Sequence, residues 1–287
     1  MSKLISRLGI FIVGIPVILG VIWLPFFNHL CLNLLIVVVT FLCADEIHNM
    51  AKAKFSLFPQ FFMTSLPTLF SVVVALCCIM DLSHIFISYT FVLLLMIIAT
   101  FSVFHRSDEI GTENFKTLFL ETAIGVFTLI YPTVFLSFVQ LMTQFNSPQE
   151  VISFFVLLVF ATDSTAWLLG MLFGKNNRGV VAISPNKSIA GFLGGYLGPV
   201  LVAILIYNLW KDRLGLELYQ LIILAVITAT TSIVGDLFAS LLKRCCSCKD
   251  SGHIIPGRGG MLDSVDSIAF SAPAFFFGMM FFQGKFL

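Results

Sequence analysis

Apolar runs of about 20 residues alternate with short polar segments along the chain, and each is long enough to cross a bilayer as a helix. The pattern predicts nine spans, over residues 7–26, 30–44, 57–80, 83–104, 118–142, 149–173, 189–210, 218–242 and 265–285. The polar segments between them carry the topology signal. With a cytoplasmic N-terminus, 13 of the 16 Lys and Arg fall on the inner side, and only Lys211, Arg213 and Lys285 fall outside. The expected fold is therefore an all-α integral membrane protein, a polytopic helix bundle.

The basic start M-S-K-L-I-S-R resembles the front of a signal peptide. The apolar run from Leu8 to Phe27 is too long for one and lacks a small-x-small cleavage site, so an uncleaved first span is expected. Pro16, Pro25, Pro59, Pro67 and Pro132 are expected to kink or end helices. Two regions follow: N-terminal helices to residue 145, and a region 146–287 that carries most of the chemistry, on loops 174–188 and 243–264. At 59% hydrophobic and 11% charged, the chain shows no soluble domain in its sequence. Of its seven Cys, four (Cys31, Cys43, Cys77, Cys78) lie in apolar segments as small hydrophobes, and no disulfide framework is implied.

The most polar passage runs from Gly235 to Ser267. On a helix, Asp236, Ser240 and Lys243 share one face, and Asp263 and Asp266 share another at the start of the next helix. Between them Pro256, Gly257, Gly259 and Gly260 interrupt the helix and let the backbone approach a ligand closely. Carboxylates from two helix ends would then face each other across a basic, glycine-rich loop. Oxygen ligands of this kind suit Mg²⁺, and Lys and Arg beside them suit phosphate.

A second group lies in the span 149–173. There Asp163 needs a partner or a role inside a membrane, while Ala166, Gly170 and Gly174 make a small-residue packing face. The following turn, Ser184-Pro185-Asn186-Lys187-Ser188, presents a cation and hydroxyls before Gly191, Gly194 and Gly195 open a helix, an arrangement that attracts phosphate. In the first half, Asp45-Glu46 and Asp108-Glu109 read as solvated turns. Glu121 either supports a site or snorkels. Cys245, Cys246, Cys248 and His253 are too cramped for a good zinc site and read as reduced thiols.

The pattern S-x-x-K-R-x-x-x-x-K-D-S-G-H-x-I-P-G-x-G-G-x-x-D-x-x-D-S resembles the signature of the phosphatidate cytidylyltransferase (CDP-diacylglycerol synthase) family. Ser240, Lys243, Arg244, Lys249, Asp250, Pro256, Gly257, Gly259, Gly260, Asp263 and Asp266 fall on matching positions. D-S-x-A-x-x-x-G-x-x-F-G-K, from Asp163 to Lys175, is a second block of that kind, and the Ser184-Pro185-Asn186-Lys187 turn a third. The chain departs from the pattern at Arg258 (usually His), Ser264 (usually Arg), Trp167 (Tyr), and Ile189 and Ala190 (an aromatic and Glu or Gln).

The resemblance implies transfer of the cytidylyl group of CTP to phosphatidic acid, with release of pyrophosphate. It implies Asp236, Asp263, Asp266 and Lys243 as catalytic residues. Mg²⁺ would be held by Asp236, Asp263 and Asp266, with Asp163 a weaker candidate, and a second cation would be Mg²⁺ or K⁺. Ser184, Lys187, Ser240, Arg244, Lys249, Asp250 and Arg258 would bind substrate. The expected partners are CTP, phosphatidic acid and the lipid bilayer, with no nucleic acid and a homodimer left open. The expected location is the inner cell membrane, with the site facing the cytoplasm. A CTP-dependent polyprenol or phytol kinase, and an inactive relative or transporter, are the alternatives; a CDP-alcohol phosphotransferase lacks support because its D-G-x-x-A-R core is absent.

Overall fold

A computed structural model gives the fold and describes residues 14, 16–55, 57–104, 112–255 and 257–284. Among the described residues the chain is helical, with strand geometry confined to two single bridges, Arg178 with Ser188 and Ile255 with Gly259. The helices are α1 (Leu30–Ala51), α2 (Gln60–Met80), α3 (Ile85–Phe104), α4 (Thr112–Thr128), α5 (Phe135–Leu141), α6 (Pro148–Phe173), α7 (Ile189–Leu214), α8 (Leu218–Cys245) and α9 (Leu262–Phe282). A π-helical turn, Leu129–Val134, joins α4 to α5 and contains Pro132. Eight segments are long and apolar enough to cross a membrane, with Phe115–Gln144 counting as one. Of the expected first span, 7–26, residues 14 and 16–26 are described, and residues 16–22 are helical. Asp108 and Glu109 lie outside them altogether.

Two helices overrun the hydropathy pattern, each for a local reason. Helix α1 continues past residue 44 to Ala51, because Ile47, Met50 and Ala51 keep a buried apolar stripe at helical spacing while Asp45, Glu46, His48 and Asn49 lower the mean hydropathy. The expected solvated turn at Asp45-Glu46 is therefore helix, and Glu46 is 3% exposed. Helix α7 runs through a non-helical Trp210 to Leu214, ending at a left-handed Gly215 (φ 64°). Helix α8 then starts on a capping box between Glu217 and Gln220. Residues 81–84, with Asp81 left-handed (φ 52°), separate α2 from α3.

Glycine sets the closest helix contacts. A Cβ at Gly194 would lie 2.6 Å from the Thr165 carbonyl oxygen, one at Gly198 2.8 Å from that of Ala161, and one at Gly191 3.1 Å from that of Ala166. The Ala166–Gly170–Gly174 side of α6 is thus a packing face for α7. At the other crossing, a Cβ at Gly235 on α8 would lie 2.9 Å from the Asp266 carbonyl oxygen on α9. That approach brings Asp236 alongside Asp266.

One buried cluster joins α1, α5 and α6–α9 through residues such as Ile36, Leu136, Phe155, Leu224 and Phe275, so this core crosses residue 145. A smaller one joins α2 and α3 through Phe70, Val74, Leu94 and Ile98. The outer surface is apolar as well, with Phe61 83% and Phe119 77% exposed. Such a surface is stable against hydrocarbon, where helices already satisfy their own backbone. Glu121 is 1% exposed, so it faces protein and does not snorkel.

Candidate active site

The helices alternate in direction, which gathers the ends of α6 and α8 and the starts of α7 and α9 at one end of the bundle. There Asp163, Arg178, Lys187, Asp236, Arg258, Asp263 and Asp266 line a cavity of about 450 Å³. Local sequence explains each wall. Ser188 caps α7, its Oγ accepting from the Gly191 N–H at 3.1 Å. The Gly179 N–H donates to the Lys187 carbonyl at 3.1 Å, and the Ile189 N–H to that of Asn177 at 3.1 Å, which folds the loop back and carries Arg178 beside Lys187. After α8, positive φ at Ser247 (55°), Gly257 (78°) and Gly259 (112°) curls the signature loop, conformations that favour glycine at the last two.

Two lysines neutralise two of the acids. Lys187 pairs with Asp236 in a half-exposed setting, the side chains being 28% and 37% exposed. Lys243 pairs with Asp263 in a nearly buried one, at 13% and 7%. Asp263 is further held by the Ser251 N–H at 2.7 Å and the Gly260 N–H at 3.0 Å, and it shares the single proton of the Ser251 hydroxyl, 3.0 Å away, with Glu46. Asp266 is 4% exposed and accepts from the N–H of Ser267 at 2.7 Å. Its carboxylate also interacts with the charges of Asp236 and Asp163. Ser267 ties α9 to α8 by donating to the Ser232 carbonyl at 3.2 Å.

This donor set fits a hard divalent cation. Asp163, Asp236 and Asp266 offer oxygen ligands from three helices to one polar cavity, and among the described residues the buried Asp266 has no lysine pair comparable to those on Asp236 and Asp263. Among the described residues no three His, Cys, Asp or Glu side chains converge closely enough to enclose an ion, so the lysine-paired carboxylates would have to turn toward one.

Of the residues singled out from sequence, Asp163, Lys187, Asp236, Arg258, Asp263 and Asp266 line the cavity, and Lys243 reaches it through Asp263. Ser184 and Ser240 are partly buried and lie outside the lining, Arg244 is exposed in the last turn of α8, and Lys249 and Asp250 are exposed on the loop after it. Arg178, Asn186 and Ser188 line it without having been assigned a role in advance. They sit in the loop whose Lys187 was legible, and the bridge from Arg178 to Ser188 is what brings them in. Cys248 donates to the Lys243 carbonyl at 3.5 Å. Burial pushes the Cys246 and Cys248 thiols above the ordinary range, which keeps them protonated at neutral pH.

The largest surprise is Glu46. Its carboxylate accepts from the Ser251 hydroxyl at 2.7 Å, the Met261 N–H at 2.7 Å and the Leu262 N–H at 2.9 Å, all on the far half of the chain. Only the acidity of the position inside an apolar chain could have flagged it.

Arg258 also lines a second cavity, of about 270 Å³ and almost wholly apolar, among Ile36, Leu136, Ile152, Val156, Ser264 and Ile268. Polar and apolar chambers thus meet at one residue, Arg258.

A sequence model of the cytidylyltransferase family matches residues 5–282. The phosphatidate cytidylyltransferase of Thermotoga maritima is 34% identical over 182 residues, 62% of this chain and 65% of that protein. That of Staphylococcus epidermidis is 36% identical over 155 residues, 54% of this chain and 58% of the relative. That of Haemophilus influenzae is 37% identical over 121 residues, 42% of each. The chain spans less than two thirds of the length of these relatives.

Proposed function

Because this chain belongs to the cytidylyltransferase family, we propose that it transfers the cytidylyl group of CTP to phosphatidic acid, releasing pyrophosphate and leaving CDP-diacylglycerol. The observation that carries this is Arg258, shared by a cavity rich in charge and one that is apolar. A substrate with a phosphate head and acyl tails needs that junction, and a guanidinium binds a phosphate bidentately.

A phosphate monoester has a second pKa of about 6, so the nucleophile is already anionic at neutral pH and needs no general base. One of its oxygens bonds to the α-phosphorus as the α–β bridging bond breaks, and pyrophosphate leaves with the electron pair. The obstacle is mutual repulsion between two polyanions, so catalysis rests on positioning and charge neutralisation. Arg258 holds the lipid phosphate, while Lys187 and Arg178 receive the triphosphate beside the start of α7. Asp163, Asp236 and Asp266, with Asp263 alongside, are the side chains that would hold Mg²⁺, which when bound shields phosphate oxygens and stabilises the leaving group. Lys243 keeps Asp263 ionised and in place.

Ser264, where the family has a cation, lines the same apolar cavity as Arg258 and only donates to the Gly260 carbonyl at 3.3 Å. Arg258 therefore supplies the positive charge at this mouth. The test is release of pyrophosphate from CTP and Mg²⁺ by the purified protein, with and without phosphatidic acid in mixed micelles. Release should require the lipid, and Arg258→Ala should raise the KM for phosphatidic acid by about tenfold or more. Lipid-independent release, or an unchanged KM, would contradict the assignment.

The reading also holds that the chain lies in the inner cell membrane with this end facing the cytoplasm, where CTP is. The concentration of Lys and Arg at this end supports it.

A further inference from the structure

We infer that Glu46, on α1, is a positioning residue of the transfer reaction: its carboxylate clamps the 251–262 segment and, through the Ser251 hydroxyl, sets the Asp263 carboxylate against the cavity. The inference rests on the cytidylyl-transfer reading for its kinetic consequence, and on geometry for the clamp itself.

A carboxylate at 3% exposure inside a spanning helix is costly unless its oxygens are hydrogen-bonded. Those of Glu46 are. Oε1 accepts from the Met261 N–H, and Oε2 accepts from both the Leu262 N–H and the Ser251 hydroxyl. Helix α9 has no side chain of its own capping its N-terminus. Glu46 does that from another helix, placing a negative charge at the end where backbone donors are unpaired.

The same Ser251 hydroxyl also lies 3.0 Å from Asp263 Oδ2 and accepts from the Asp263 N–H at 3.3 Å. One hydroxyl thus touches both acids, and a shift of Glu46 is passed to Asp263. The glycines of the loop agree with this. A Cβ at Gly260 would lie 2.6 Å from the Glu46 carboxyl carbon, and one at Gly252 2.7 Å from its Oε1. These two are glycine because a carboxylate from α1 fills the space a side chain would take.

All three partners donate, so both oxygens of residue 46 must accept. A glutamine at position 46 would turn an N–H₂ group toward either the Met261 or the Leu262 N–H, setting donor against donor. A positioning role of this kind changes turnover more than ground-state binding of CTP.

The experiment compares the full-length chain with Glu46→Gln, Ser251→Ala and the double variant, in detergent. Limited trypsin digestion reads order in the loop through cleavage after Lys249 and Arg258, and α-labelled CTP with phosphatidic acid reads turnover. In Glu46→Gln, cleavage at those sites should accelerate by about fivefold or more, and kcat should fall by roughly 10- to 100-fold with the KM for CTP held within about threefold. The double variant should lose no more than the worse single one, because both act on the same hydroxyl.

Unchanged loop protection in Glu46→Gln, or a kcat within about twofold of the parent, overturns the inference. Additive losses in the double variant do the same. Should Glu46→Gln fail to give monodisperse protein, Ser251→Ala decides alone, and an unchanged kcat there counts against the inference. If the parent chain transfers no label, the proposed reaction fails, and the trypsin arm still decides whether Glu46 clamps the loop.

Discussion

The two lysine–carboxylate pairs of the site differ in burial, and the difference separates their roles. Lys243 and Asp263 are 13% and 7% exposed, so Lys243→Met leaves a buried carboxylate without its cation and should lower stability by roughly 3–5 kcal/mol. Lys187 and Asp236, at 28% and 37%, form a pair that solvent can screen, so Lys187→Met should cost about 1 kcal/mol or less. The second variant should instead raise the KM for CTP. Thermal denaturation of both, read beside CTP kinetics, checks the separation; the opposite ranking in stability would contradict it. Asp163, Asp236, Asp263, Asp266 and Lys187 could be picked from the sequence because charge is rare in so apolar a chain. Glu46 was just as rare, yet it sat beside Asp45 at what looked like the end of a span, and its partner Ser251 is 205 residues away. Nothing local in the sequence links the two.

Among the elements, the α6–α7 pair holds the cavity open to the right width. Asp163 rides on α6 and Lys187 precedes α7, so their separation depends on how closely Gly191, Gly194 and Gly198 let the helices approach. A Cβ at Gly194 would press on the Thr165 backbone oxygen at 2.6 Å and the Leu169 Cβ at 2.8 Å, neither of which is a flexible side-chain end. Gly194→Val is outside the cavity lining, and is expected to cost about 1–3 kcal/mol and to reduce turnover in the protein that still folds. Wild-type activity and an unchanged melting temperature would contradict that. The spacing of Ala166, Gly170 and Gly174 announced the packing face on α6 that these glycines meet, and hydropathy announced each helix. The overrun of α1 to Ala51 was hidden because a polar helical turn, once its other side is buried, looks in sequence like a loop.

For the whole molecule, alternation of the eight described spans puts the ends of α1, α3, α6 and α8 on one side together with the cavity. That side carries Lys52, Lys54, Lys175, Arg178, Lys187, Lys243, Arg244, Lys249 and Arg258, whereas Lys211 and Arg213 both lie in the last turn of α7, on the other side. The bias predicts that the exposed Cys245, at the end of α8 on this side, reacts with a membrane-impermeant maleimide in inside-out vesicles and not in intact cells. The reverse pattern would invert the proposed orientation. The chemistry itself is tested most directly by incubating the purified protein with phosphatidic acid, a polyprenol, Mg²⁺ and CTP labelled separately at the α- and γ-phosphates. The account predicts that α-label enters the phosphatidic acid product while γ-label leaves as pyrophosphate. Transfer of γ-label into the polyprenol, or no transfer from either position, would contradict it.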